Sequence, residues 1–205
     1  MNFIYSAALV MVVSVNLGHA MTMQSPKSSS ETAPIESAAA FVSAMAGAAT
    51  AVSIVTTDGL AGRFGVTVSA VASVSAEPPL VLACISRRSP AAAAIEENGR
   101  FCINMLNAGQ AALANCFAGR PDDGAPYDFG CADWRTGATG APVLDGAVAA
   151  FDCVLERAHD AGTHRIIIGR VAGAVASAHP PLAYARRRYQ ALAPLASRLQ
   201  ERQPS

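Results

Sequence analysis

Apolar and polar positions alternate along this chain in short blocks whose period changes repeatedly. Phe3 to Leu17 is an almost unbroken apolar run of roughly 15 residues, short of the ~20 a membrane-spanning helix needs. Small residues at Gly18 and Ala20 fit a leader cleavage pattern, but no Lys or Arg precedes the run. Met21 and Met23 follow, then a Ser-rich polar tract. We read residues 1–35 as lying outside the fold. A start at Met21 or Met23 is favoured over export or anchoring.

From residue 38 the pattern predicts structure. Ala38 to Ala48 places Phe41, Val42 and Met45 on one helical face. Ala51 to Thr57 reads as a β-branched strand, Asp58-Gly59 as a turn, and Arg63 to Ala70 as the returning strand of a hairpin. β-type residues continue through Val71 to Ser75 until Glu77-Pro78-Pro79 interrupts them. Leu80 to Ile85 reads as a buried strand. Ser89 as N-cap and Pro90 in the first turn start a helix that Asn98-Gly99 ends. Phe101 to Leu106 is expected as a strand, Gln110 to Phe117 as a helix, and Gly119 to Gly146 as a loop. Val148 to Arg157 and His164 to Val175 complete the core as two long strands. Strands outnumber helices and no βαβ rhythm is present, so the chain is expected to be mostly β: an antiparallel barrel with a few peripheral helices.

Composition narrows the chemistry. The 205 residues suffice for one core, and 52% hydrophobic against 15% charged residues favours folding. Zero net charge gives no ground for a nucleic-acid partner, and a membrane partner is not expected. Fourteen of the fifteen basic residues are Arg; the single lysine, Lys27, lies in the polar tract, which excludes a P-loop or a folded-domain Schiff base. Cys84, Cys102, Cys116, Cys131 and Cys153 form no C-x-x-C pair and are read as reduced core residues; no metal site is expected. Rossmann, nucleophile-elbow and zincin motifs are missing.

Two segments could hold a ligand. Ser86-Arg87-Arg88-Ser89 joins a strand end to a helix start, so free N–H groups, the helix dipole and two guanidinium groups converge. It is either an anion site or an ordinary capped turn. Strand alternation would put Thr67, Ser69, Val71 and Ser73 on one face, either lining a ligand or facing solvent.

Taken in order, AVSIVTTDG (51–59), GVTVSAVASVS (65–75), PPLVLACIS (78–86), FCINML (101–106), FAG (117–119), WRTGATGAPVL (134–144), FDC (151–153), GTHRIIIG (162–169) and RRYQAL (187–192) resemble the short-chain flavin reductase family. Its members are the reductase components of two-component flavin monooxygenases, including those serving 4-hydroxyphenylacetate hydroxylation and pyrimidine-ring oxidation. The resemblance covers roughly residues 38 to 192.

It implies an FMN-binding split β-barrel over residues 36–192 with a C-terminal tail at 193–205, and a cytoplasmic homodimer with flavin near the subunit interface. Such a protein would reduce FMN or FAD with NADH, favoured over NADPH, and deliver reduced flavin to a partner monooxygenase. By this analogy Thr67, Val68, Ser69, Ala70 and Ser73 contact the isoalloxazine and ribityl chain. Ser86, Arg87 and Ser89 hold the phosphate, and Phe117 lies near the flavin. His164 stands by the nicotinamide, while Tyr184, Arg188 and Tyr189 help hold the dinucleotide. Gly162-Thr163-His164 departs from the Gly-Asp-His common in many members. The alternatives are a flavin barrel of other activity, pyridoxamine-phosphate-oxidase-like or F420-type, and a non-enzymatic flavin-binding or tethered protein.

Overall fold

A computed structural model of the protein describes residues 38–193. The apolar run, Met21, Met23 and the expected tail beyond residue 193 lie outside the described residues. The elements are α1 (Ala38–Met45), β1 (Thr50–Ala51), β2 (Ser53–Thr57), β3 (Phe64–Val68), β4 (Val71–Ala76), β5 (Pro79–Ser86), α2 (Pro90–Asn98), β6 (Arg100–Met105), α3 (Ala111–Phe117), a 3-10 turn (Phe129–Cys131), β7 (Trp134–Thr136), β8 (Pro142–Leu144), β9 (Ala149–Ala161), β10 (His164–Ala176), β11 (Leu182–Ala185) and β12 (Arg188–Ala191). The helical face expected of Phe41, Val42 and Met45 forms, but all three stand exposed.

Seven strands make one antiparallel sheet in the order β3-β2-β6-β9-β10-β5-β4. Its two edges, β3 and β4, are consecutive in the chain, with only Ser69 and Ala70 between them. Two residues reach about 7 Å at full extension, so the sheet must roll until its edges meet. No ladder joins β3 to β4, and the barrel is split along that seam. This corrects the expectation that Thr67, Ser69, Val71 and Ser73 share a strand face. The chain leaves one edge at Val68 and enters the opposite one at Val71, where Ser73 pairs with Val81.

Alternation along the inner strands feeds two cores. Val55, Phe101, Ile103, Cys153 and Ile167 face the barrel interior with Ile85 and Ile95. On the opposite face of β2, Val52 and Ile54 pack with Leu113, Ala114 and Phe117 of α3. Every residue of β2 is therefore buried, which is why its sequence reads as a continuous β-branched run.

The segment expected as a loop, Gly119 to Gly146, contains the 3-10 turn and the β7–β8 hairpin. Strands of three residues are too short to show a period, and their stability comes from tertiary contacts. Val143 packs with Cys102, Ala141 and Ala150. Fully buried Asn104 accepts from Leu144 N at 2.8 Å and donates to Ile54 O at 3.2 Å, tying the hairpin to β2 and β6. Helix α2 begins at Pro90 with extended Ser89 as N-cap and ends on Gly99 at φ 67°, as the sequence predicts, although Ser89 makes no side-chain cap bond.

The cysteines divide. Cys102, Cys116 and Cys153 are buried, Cys84 is half-buried, and Cys131 is exposed, which corrects its assignment to the core; all five are free. Burial, with Asp152 adding repulsion, raises the Cys102 thiol and pushes Cys153 up to about 12. An unfolded thiol loses its proton from 9.0 upward while these two retain theirs. The unfolded state thus binds fewer protons, and each thiol withdraws about 1.4 kcal/mol of stability per pH unit above that value. The urea midpoint should fall by the equivalent of about 2 kcal/mol from pH 9 to 10 through these two groups, because the unfolded thiols are only half deprotonated at the start of that interval. A C102A/C153A variant, whatever its baseline, should show a correspondingly flatter slope. Parallel slopes would mean that the thiols are not the source.

Candidate active site at the barrel seam

The seam is where backbone and side chains remain available. As an edge strand, β3 pairs only with β2, so every second residue turns its N–H and C=O away from the sheet. Two clefts meet along Thr67, Val68 and Ser69. One, of about 200 Å³, adds Val66, Ala70, Cys84, Ser86 and His164. The other, of about 380 Å³, is closed by Asn115 of α3, by Arg120 after it, and by Tyr184, Arg187, Arg188 and Tyr189 of the β11–β12 hairpin.

The smaller cleft takes its shape from register. His164 at the start of β10 lies opposite Ser86 at the end of β5. The His164 Nδ1 is 2.9 Å from the Thr163 hydroxyl, which leaves Nε2 for a ligand. Thr67 is oriented from below, its hydroxyl donating to Ala114 O at 2.8 Å. The remaining lone pairs of that oxygen can still accept.

The turn after β5 is closed by its own hydrogen bonds. Arg87 N donates to Thr163 O at 3.0 Å, and Ser89 N to Ser86 O at 2.9 Å. Ser86 Oγ accepts from Arg88 N at 3.4 Å. The Arg87 guanidinium lies 3.2 Å from the Asp160 carboxylate and 3.3 Å from Gly162 O. The hydrogen bond from Arg165 holds the Asp160 carboxyl below its ordinary value, so Asp160 stays charged beside Arg87. Both partners are about half exposed, and an exposed ion pair of this kind is worth little. A phosphate dianion can therefore compete for Arg87.

In the larger cleft the Tyr189 hydroxyl donates to Asn115 Oδ1 at 2.9 Å, and burial pushes its phenol up. Tyr184 packs on Tyr189 with ring centroids 5.5 Å apart. These residues belong to a small sheet, β1-β11-β12.

Thr67, Val68, Ser69, Ala70, Ser86 and His164 thus converge on one cleft, and Tyr184, Arg188 and Tyr189 on its neighbour. Four expected residues lie elsewhere. Arg87 lines none of the clefts, its guanidinium being paired with Asp160. Ser73 is exposed on β4 and lines neither cleft. The fully buried Phe117 meets Phe129 and Trp134 edge-on at 5.0 and 5.6 Å. A side chain at Gly65 would come within 2.5 Å of its ring, so Phe117 underpins β3 instead of facing a ligand. Ser89 opens on a third cleft, of about 270 Å³, with Arg63, Gly65, Tyr127 and Phe129. Asn115, Arg120 and Arg187 escape sequence reading because nothing local marks a helix end or a hairpin tip as neighbours of β3.

Among the described residues no cluster of His, Cys, Asp or Glu is arranged to hold a metal, and no helix is long and apolar enough to cross a membrane.

The comparisons with known proteins agree with this geometry. Residues 45–193 match the flavin reductase like domain, and the chain belongs to that family. It is 45% identical over 164 residues to an FMN reductase (NADH), RutF, of Ancylobacter novellus, covering 78% of this chain and 88% of the relative. The Streptomyces globisporus NADH:FAD oxidoreductase SgcE6, solved with NAD and FAD fragments, superposes with a TM-score of 0.69 at 31% identity, covering 77% of this chain and 93% of that one. BorF, the flavin reductase component of a bacterial two-component tryptophan halogenase, gives 0.68 at 34% identity, covering 76% and 98%.

Proposed function

We propose that the protein is an NADH-dependent flavin reductase that reduces FMN, or FAD, and passes the reduced flavin to a partner monooxygenase. The observation that carries this reading is the pair of clefts sharing one edge strand, Thr67 to Ser69, along an open barrel seam. Two planar ligands can meet there, one reaching toward the Ser86-Arg87 turn and the other toward the tyrosine–arginine hairpin.

The flavin, when bound, supplies an acceptor for hydride at N5, and the nicotinamide supplies the hydride from C4. The protein contributes placement. The outward N–H and C=O groups of β3 offer partners for the polar edge of the isoalloxazine. Ser86 and Arg87, at the turn after β5, would take the FMN phosphate. His164 orients the nicotinamide through Nε2, and Val68 and Cys84 provide an apolar wall that excludes water. A hydride step between two bound cofactors requires alignment and no side-chain base, which fits the absence of a conspicuous acid–base pair in these clefts. The homodimer implied by the family resemblance would cover Val74 and Val175, which stand exposed on β4 and β10. A cytoplasmic location, where NADH is supplied, belongs to the same proposal.

The test follows NADH oxidation at 340 nm with and without added FMN. Oxidation that requires FMN and saturates in it is expected. Flavin binding without oxidation of either nicotinamide cofactor would overturn the reading. In rapid mixing, H164A should slow flavin reduction about tenfold to a hundredfold, as expected for a nicotinamide held out of line. An unchanged rate would remove His164 from the site.

A further inference from the structure

Two of the five free cysteines meet where α3 ends. Cys116 is buried in the last turn of that helix, and Cys131 is exposed at the end of the 3-10 turn, 15 positions later. Their sulfurs are 3.6 Å apart. Both lie against one backbone carbonyl, Asp128 O, at 2.7 Å from the Cys131 sulfur and 3.8 Å from that of Cys116. Both line a cleft of about 230 Å³ beside the carboxylates of Asp122, Asp123 and Asp128. Among the described residues no other two cysteine sulfurs are hydrogen-bonded to each other. A disulfide holds its sulfurs about 2 Å apart. Cys116 is fixed in a packed helix, so the remaining approach falls on the exposed Cys131 side chain.

The segment between the two cysteines carries Arg120 to the larger seam cleft and Tyr127 and Phe129 to the third cleft. From Ala118 to Asp128 it contains no helix or strand, and all of it but Gly119 and Pro121 is exposed. Tyr127 N donates to Cys116 O at 3.1 Å, and the Asn115 side chain to the Asp122 carboxylate at 3.1 Å. A segment held by so few buried contacts opens more readily than the strands around it. A flavin that must leave after each reduction depends on such opening. A covalent bond at Cys131 would clamp both ends of the segment to α3.

We propose that Cys116 and Cys131 form a reversible disulfide when hydrogen peroxide accumulates, and that the clamped form turns over more slowly. For its oxidant the proposal rests on the flavin reductase reading. Reduced flavin that meets no oxygenase passes two electrons to dioxygen, giving oxidised flavin and hydrogen peroxide. The Cys131 sulfur attacks one peroxide oxygen, the O–O bond breaks, and the departing hydroxide takes the thiol proton as water, leaving a sulfenic acid. The Cys116 sulfur then attacks the Cys131 sulfur. The S–O bond breaks, and hydroxide leaves with the Cys116 proton as a second water. Peroxide gains two electrons and each sulfur gives up one. Partial burial, then the hydrogen bond with the Cys116 thiol, pushes the Cys131 thiol up to about 11. Little thiolate exists at neutral pH, so the pair ignores trace peroxide and responds to sustained release. A reducing compartment returns it to thiols.

The experiment incubates reduced wild type and C131S with hydrogen peroxide, removes the peroxide with catalase, blocks the remaining thiols and weighs the peptides. The wild type should lose two of its five free thiols and yield a peptide cross-linked between Cys116 and Cys131 that dithiothreitol separates. Its turnover with NADH and FMN should drop about threefold or more, as expected when segment opening limits release, and recover with dithiothreitol. C131S keeps a hydroxyl donor for Asp128 O and lies outside both seam clefts, so its turnover should be the same before and after treatment. C116A, which lacks the second thiol, should stop at a Cys131 sulfenic acid that dimedone traps. A wild type that keeps all five thiols, that cross-links only between molecules, or that forms the bond with unchanged turnover would overturn the proposal. If the reduced protein oxidises no NADH, the parent reading fails by itself. Amide exchange over residues 118–130 then decides: slower exchange in the oxidised wild type supports the clamp, and equal exchange rejects it.

Discussion

R87Q is expected to raise the Kd for FMN about 30-fold while leaving that for riboflavin within about twofold. The estimate is that of one hydrogen-bonded, charge-assisted phosphate contact, about 2 kcal/mol. Riboflavin lacks the phosphate and reports the remainder of the site. Arg87 also bridges Asp160 and Gly162 O, so the substitution removes one of the two cations on Asp160, leaving Arg165 at 2.7 Å. The companion variant D160N should act in the opposite direction, tightening FMN severalfold by releasing Arg87 from competition. Both effects should shrink with added salt, because the groups are solvent-exposed. Equal weakening of FMN and riboflavin by R87Q would instead mean that Arg87 maintains the turn against residues 160–162 and does not meet phosphate.

G169A is expected to destabilise the protein by about 3 kcal/mol, lowering Tm by about 6–12 °C for a chain of this size. Gly169 sits at a register shift in β10, and a Cβ there would lie 2.3 Å from Phe101 Cζ and 2.7 Å from Cys153 Cβ. Both neighbours are fully buried in the barrel core and cannot yield without displacing Ile103 or Ile167. The contrast is G162A in the β9–β10 turn, where nothing lies within 4 Å and the φ of 58° alone is unfavourable. That change should cost only about 1 kcal/mol. Thermal unfolding of the two variants separates a packing cost from a backbone cost; equal Tm losses would refute the overpacking argument.

Local sequence determined most of the elements. A continuous β-branched run marked β2, an apolar run marked β5, and the Ser89-Pro90 start and Asn98-Gly99 stop delimited α2, because these signals act between residues a few positions apart. Motif order carried the family, and a strand end followed by a helix start at Ser86 to Ser89 was legible as either an anion site or an ordinary capped turn. The rest depended on contacts distant in sequence. The β7–β8 hairpin exists because Asn104 and the outer faces of β2 and β6 need covering, and three-residue strands have no periodicity of their own. Thr67 and Ser73 look like neighbours on one strand, yet the rolling of the sheet sends them to opposite edges. Phe117 reads as a residue near the flavin until Gly65 lets its ring lie under β3. Arg120 and Arg187, 67 positions apart, face one cleft only because α3 and the terminal hairpin both pack at the end of β3. Propensity and capping are properties of neighbours in the chain. The seam, and the ligands it can hold, arise from how the barrel closes.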